Sequence, residues 1–168
     1  RSQSPQCAGG SRLLVLRSDH GYWDGGPVSG RPADGSVATR HLVVIPTPYA
    51  FTLPPSAWAE SQHKLNALGY RMLVPGHGGV QRDTQYVDLN IEAAESIADQ
   101  RDALLLQDLS HEEVQAQLDF SAFEARFTGG DEYIAGYYEA YFEAPFRKAA
   151  IKALSGEPMV RIEPVATE

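Results

Sequence analysis

The chain has 168 residues, a formal charge of −8, 43% hydrophobic and 21% charged residues, and a single cysteine, Cys7. These values fit one globular domain long enough to bury a core, and not a disordered chain. The acidic balance argues against nucleic-acid binding and against attachment to anionic membranes. No apolar run nears the ~18 residues of a membrane span, and one cysteine excludes an internal disulfide while leaving the compartment open.

Residues 1–36 are rich in Gly, Pro, Ser and Arg. The apolar run from Leu13 to Leu16 predicts a strand. The stretch from Gly21 to Gly35 carries five glycines and two prolines and predicts turn or loop; so long a structureless stretch counts against a well-folded segment. The pattern changes at Val37. Leu42-Val43-Val44-Ile45 is a β-branched run of buried-strand type, closed by Pro46 and Pro48. From Pro54-Pro55-Ser56 the pattern is helical, with Trp58, Leu65 and Leu68 on one face and Gly69 as the stop. Arg71 to Val74 predicts a second strand running into the loop Pro75-Gly76-His77-Gly78-Gly79. Strand, helix, strand and Gly-rich loop make the pattern of a layered α/β or αββα domain.

Beyond the loop the chain reads as helix. Asp83 or Thr84 caps a helix to about Leu106, with Tyr86, Leu89, Ala93, Ile97 and Leu104 as its apolar stripe. Ser110-His111-Glu112-Glu113 forms a capping box that opens a short helix. Phe120, Phe123 and Phe127 extend the apolar spacing to Gly129-Gly130. Asp131 then caps a final helix through Leu154, with an aromatic stripe of Tyr133, Tyr137, Tyr141 and Phe142. That stripe reads as a substrate wall or, preferably, as packing against the preceding helix.

His77 carries the chemistry of the Gly-rich loop. It follows a buried strand, where α/β proteins place ligating and catalytic side chains. Gly76 and Gly78 let the backbone turn sharply and approach a metal or substrate, and imidazole is the commonest nitrogen ligand of zinc. Taken alone, a histidine in such a loop is more often a turn residue or hydrogen-bond partner.

Leu-Val-Pro-Gly-His-Gly-Gly-Val at 73–80 resembles the Pro-Gly-His-Gly loop of metallo-β-lactamase-fold hydrolases. Val-Ala-Thr through Leu-Val-Val-Ile-Pro-Thr-Pro-Tyr-Ala-Phe at 37–51 is similar to one branch of that superfamily. Trp58, Leu65, Tyr86 and the long helical tail fit the same branch, so the resemblance covers about residues 37–154. It implies an α/β fold: the C-terminal half of an αββα sandwich over 37–158 with a mostly helical tail, a poorly matching segment 1–36 before it, and a terminal stretch 159–168. It also implies hydrolysis of an ester, thioester, amide or lactam in a small-molecule substrate, with two metal ions, usually zinc, activating water. His77 would be one of the metal ligands.

The chain departs from that family twice. The early His-x-His-x-Asp-His motif is absent; the histidines, at 20, 41, 63, 77 and 111, include no close pair. Metal-activated water needs a cation held by three or more ligands with one position open. Thr39-Arg40-His41 stands where the family has Thr-Gly-Asp, whose carboxylate bridges two metals. Arg40 brings a fixed positive charge to that place. His41 can ligate one metal without bridging two; the favoured alternative is a strand-edge histidine with no ligand role. His20-Gly21-Tyr22-Trp23-Asp24 falls near the distance of a further His-containing family segment, but the residues between do not match. The metal candidates are therefore His77, His41 and His20, with no catalytic residue assigned; His63 and His111 read as surface residues.

The expectation that follows is a truncated or inactive form, with residues 1–36, and with them Arg40-His41, arising from truncation or a shifted reading frame. Two alternatives stand beside it: a half-domain completed by a partner chain, and a non-catalytic helical binding module over 84–154. A split sandwich would leave a sheet face uncovered and would melt without a cooperative transition.

Overall fold

The computed structural model describes the backbone of residues 14–16 and residues 28–31, 33–50 and 53–152. Cys7, His20 and Asp24, with the readings placed on them, lie outside the described residues. The fold is α/β and mostly helical. Strands β1 (Leu14–Leu16), β2 (Val28–Arg31), β3 (Ser36–Val44) and β4 (Met72–His77) form one sheet in the order β1-β2-β3-β4. The first three run antiparallel in succession, and β4 joins β3 in parallel after the crossover helix α1 (Pro55–Asn66). The chain continues through α2 (Gln85–Leu105), α3 (His111–Gln117), α4 (Ser121–Thr128), α5 (Glu132–Tyr138), a π-helical turn (Glu139–Glu143) and α6 (Ala144–Lys152).

Two sequence-based expectations are corrected by the strands. Val28–Arg31, expected as loop, pairs with β3 and buries Val28 fully. The hairpin closes through Asp34, whose carboxylate accepts from the Ser36 N–H at 2.9 Å and the Ser36 hydroxyl at 2.6 Å, and through Gly35 at φ 68°. A strand of Val-Ser-Gly-Arg shows too little apolar alternation to be read from pattern alone. The second correction lies in β4, which runs through Pro75 and Gly76 to His77 instead of ending at Val74. Pro75 survives there because β4 is an edge strand of the described sheet, where a missing N–H can face outward.

Among the described residues, helices cover one face of the sheet and leave the other partly exposed. Val28, Val37, Leu42, Val43 and Leu73 pack with Leu65 of α1 and with Val87 and Ile91 of α2. Each such side chain contributes roughly 1.5–3 kcal/mol when fully buried. On the opposite face Ala38 pairs with Val74 and Ser36 with Met72; Ala38, Met72 and Ser36 are half-buried, and Val74 is 39% exposed.

A second core is built by the helices. Trp58, Ala93, Ala94 and Ile97 meet Phe120, Phe123, Phe127, Tyr138, Phe142 and Phe146. Phe142 lies at its centre, with ring centroids of Tyr138 at 5.3 Å, Phe146 at 5.0 Å and Phe127 at 5.6 Å. Leu68, expected on the buried face of α1, lies past the helix end and is exposed. Tyr86 packs against both cores, and its hydroxyl donates to the carbonyl of Val44 at 2.7 Å and lies 3.1 Å from that of Pro46. Burial pushes its phenol far above the ordinary range.

The starts of α3 and α5 follow the expected chemistry, whereas Thr84 begins α2 without a side-chain cap hydrogen bond. The Ser110 hydroxyl accepts the Glu113 N–H, and the Glu113 carboxylate accepts the Ser110 N–H at 2.9 Å. The Asp131 carboxylate accepts the N–H groups of Tyr133 and Ile134 at 2.9 and 3.1 Å. Arg147 ties α6 back to the α3 end by donating to the carbonyls of Gln115 and Leu118 at 2.6 and 2.7 Å, with its guanidinium over the Phe120 ring.

Candidate functional site

Strands β3 and β4 begin in regular register, Val37 beside Leu73 and Ala38 beside Val74. The register then breaks: the four steps from Arg40 to Val44 are matched by only two from Pro75 to His77. β3 therefore bulges, and a bulge re-aims the side chains it carries. Arg40 takes φ 48°, in the left-handed region that favours glycine. The buried Gln62 of α1 holds the bulge by donating from its amide to the Leu42 carbonyl at 2.8 Å.

The two glycines flanking His77 serve this packing. A Cβ on Gly76 would overlap the Arg40 carbonyl, and one on Gly78 (φ 88°) would sit 2.6 Å from the Ile45 Cβ. Their small size lets β4 press against β3 instead of opening room for a ligand. The Ile45 N–H donates to the His77 carbonyl at 3.1 Å. The chain then folds back, so that Gln81 exchanges two backbone hydrogen bonds of 2.9 Å with Leu73.

This geometry brings His41 and His77 together. Their rings stack with centroids 5.4 Å apart and planes 11° from parallel, and both residues are exposed. His41, although 36 positions away in sequence, is thus the neighbour of the loop histidine. His63 is exposed at α1 and meets Glu95 at 2.8 Å, and His111 is exposed in the first turn of α3.

The pair opens onto a row of tyrosines. Tyr49 lies 5.7 Å from His41, Tyr141 lies 6.1 Å from Tyr49, Tyr137 5.7 Å from Tyr141, and Tyr133 5.0 Å from Tyr137, all between ring centroids. Tyr133, Tyr137 and Tyr141 were expected to pack inward with Phe142; Phe142 does, but the three tyrosines are 72%, 39% and 40% exposed. Pro145 accounts for the way the row meets the loop. It has no N–H to return to the Tyr141 carbonyl four residues back. The helix widens there into its π turn, with the Ala144 N–H bonded to the Glu139 carbonyl, and the Tyr141 carbonyl accepts the Ala50 N–H at 3.2 Å instead. The proline thereby ties Tyr141 to the segment that carries Tyr49.

Chemically, the pair offers two imidazoles. Among the described residues no group of three or more His, Cys, Asp or Glu side chains is placed to hold a metal ion. Zinc in a catalytic site takes three protein ligands and keeps a position for water, so the described residues fall short of a zinc centre; with the two rings within 11° of parallel, their in-plane nitrogen lone pairs run side by side, and one ring would have to turn before both could meet the same ion. A groove of about 620 Å³ lies elsewhere, between α1 and α2. Within it Lys64 meets Glu60 at 2.7 Å, His63 meets Glu95 at 2.8 Å and Arg101 meets Asp102 at 2.7 Å. Among the described residues no helix is long and apolar enough to cross a membrane.

Tyr49 was the functional candidate that sequence reasoning missed. Its signal was present in the Pro-Tyr-Ala-Phe segment shortly after the β3 run, an aromatic directly behind Pro46 and Pro48. No protein-family model matches the chain, and a search of curated proteins finds no match.

Proposed function

We propose that this chain is a relative of the metallo-β-lactamase-fold hydrolases that keeps a late metal-ligand position at His77, with His41 beside it, and has no hydrolytic activity of its own. The reading rests first on the stacked imidazoles, His77 at the end of β4 and His41 in the bulge of the parallel strand β3. Arg40 adds to it: the resemblance aligns this residue with a glycine, and its backbone adopts a conformation suited to glycine. The face bearing Ala38, Met72 and Val74 is where the second sheet of an αββα sandwich would pack.

Two imidazoles hold a zinc ion more weakly than three or four ligands do, and they provide no group to take the proton from a bound water. No hydrolytic step is therefore assigned to this chain. A polypeptide supplying the missing His-x-His-x-Asp-His ligands would be the partner that completes the centre. The test is zinc content after equilibrium dialysis, run together with hydrolysis assays on ester, thioester and lactam probes. Weak zinc uptake that falls in both His77→Ala and His41→Ala, without hydrolysis, is the expected result. Zinc-dependent turnover by the isolated chain would contradict the assigned inactivity, and zinc uptake indifferent to both substitutions would contradict the ligand assignment.

The exposed tyrosines favour a second reading, a binding module on the C-terminal helices, and give it a specific surface.

A further inference from the structure

We propose that an internal water molecule is bound between Gln62 of α1 and Asn90 of α2, and that this polar link positions the β3 bulge that sets His41 against His77.

Gln62 and Asn90 are both fully buried. The Leu42 carbonyl can only accept, so the Gln62 amide nitrogen faces it at 2.8 Å and the Gln62 Oε1 atom points the other way. That oxygen has no hydrogen-bond partner among the described residues, and neither has Oδ1 or Nδ2 of Asn90. A buried polar atom left without a partner costs more than an ordinary hydrogen bond returns, so such groups are satisfied by protein or by water.

The two amides share one place in the fold. Gln62 lies on α1 between Trp58 and Ala59, which belong to the helical core, and Leu65, which belongs to the sheet core. Asn90 lies on α2 between Val87 of the sheet core and Ala93 and Ala94 of the helical core, one turn past Tyr86, which packs against both. Both therefore face the seam between the cores. On the exposed edge of the helix pair Asn66 meets Asp88 at 2.6 Å and His63 meets Glu95 at 2.8 Å, so α1 and α2 run antiparallel. That alignment brings Gln62 and Asn90 within about one helical turn of each other. Two hydrogen bonds through one water span such a distance.

The chemistry of the three atoms selects the occupant. Gln62 Oε1 and Asn90 Oδ1 accept and Asn90 Nδ2 donates, so the ligand must both donate and accept, as water does. A cation would meet the oxygens but oppose the Asn90 N–H groups, and an anion would do the reverse. The core residues that flank the two amides are apolar or aromatic and supply no countercharge for an ion.

The link reaches the histidines through Gln62, which holds the bulge at Leu42, the residue after His41. A water bonded to Oε1 keeps the amide turned so that its nitrogen meets the Leu42 carbonyl. Asn90 is thus a positioning residue, acting on His41 through the water and Gln62.

The experiment uses the full chain in metal-free buffer, so its outcome does not depend on zinc binding at the pair. NMR would follow cross-relaxation between water and the side-chain amide protons of Gln62 and Asn90, together with the ring resonances of His41 and His77, which stacking shifts mutually. A long-lived water is expected at both amides. Asn90→Leu should remove it from Gln62 and move both histidine resonances toward those of unstacked imidazole. Asn90→Ser, whose hydroxyl still donates and accepts, should keep the water and the stacked shifts. Should Asn90→Leu fail to fold, the unsubstituted chain and Asn90→Ser still decide the matter. Absence of a long-lived water at both amides of the unsubstituted chain, loss of the water or of the stacked shifts in Asn90→Ser, or unmoved histidine resonances in a folded Asn90→Leu would overturn the proposal.

Discussion

Arg40 holds a backbone φ of 48° inside a strand, next to a glycine that cannot accept a side chain. A left-handed conformation costs an L-residue roughly 1–2 kcal/mol, against about 0.5–1 kcal/mol of extra chain entropy for glycine. Arg40→Gly is therefore expected to raise stability by up to about 1 kcal/mol, read as a higher denaturation midpoint in urea. A midpoint lowered by the substitution would mean that the arginine side chain, rather than the backbone, is what matters at this position. At this scale the sequence was partly legible. His77 stood out because glycines surround it, and the need for those glycines is real. Their reason was not visible, since the Arg40 carbonyl and Ile45 that crowd them come from another strand. The meeting of His41 with His77 was hidden for the same cause: it depends on a bulge, and bulges leave no periodic trace.

At the scale of elements, helices were read well because their signals are local. Ser110, Asp131 and Gly129 end or begin helices through bonds to residues within four positions. β2 was missed because its burial depends on pairing with β3 and not on its own composition. The final helix was foreseen, but its π turn was not, although Pro145 announces a missing donor. Pro145→Ala restores an N–H that competes for the Tyr141 carbonyl, so the Ala50 N–H loses its acceptor. Hydrogen exchange at Ala50 should then accelerate about fivefold, the equivalent of one hydrogen bond of about 1 kcal/mol. Unchanged protection at Ala50 would show that the loop and helix are joined by something other than this bond. The same substitution should turn Tyr141 relative to Tyr49, which makes it a probe of the whole aromatic row.

For the whole molecule, two cores share Tyr86, and three tyrosines report on them. Burial first, then Asp88 and Asp83, pushes the Tyr70 phenol up to about 12, and burial pushes Tyr86 and Tyr138 further still. The folded chain keeps these protons where the unfolded chain releases them near pH 10. The contribution of these groups to folding stability is therefore intact below pH 10 and is lost as the pH rises from about 10 through 12. Thermal melts over that range, followed by circular dichroism and phenolate absorbance together, should show midpoints falling as pH rises and phenolate appearing with unfolding. Phenolate formation by all tyrosines near pH 10 without loss of structure would contradict the burial assigned to them. The overall α/β class and helical tail were legible from element order. Ala38, Met72 and Val74 are, among the described residues, partly exposed on the sheet face away from the helices.

The account stands or falls on whether the two stacked imidazoles act together on a metal ion. The direct measurement is zinc titration of the chain followed through the ring resonances of each histidine. The account predicts that His41 and His77 shift together with one apparent affinity, that His63 and His111 do not follow them, and that His77→Ala removes the response of His41. Independent responses from all the histidines, or none at the pair, would contradict it.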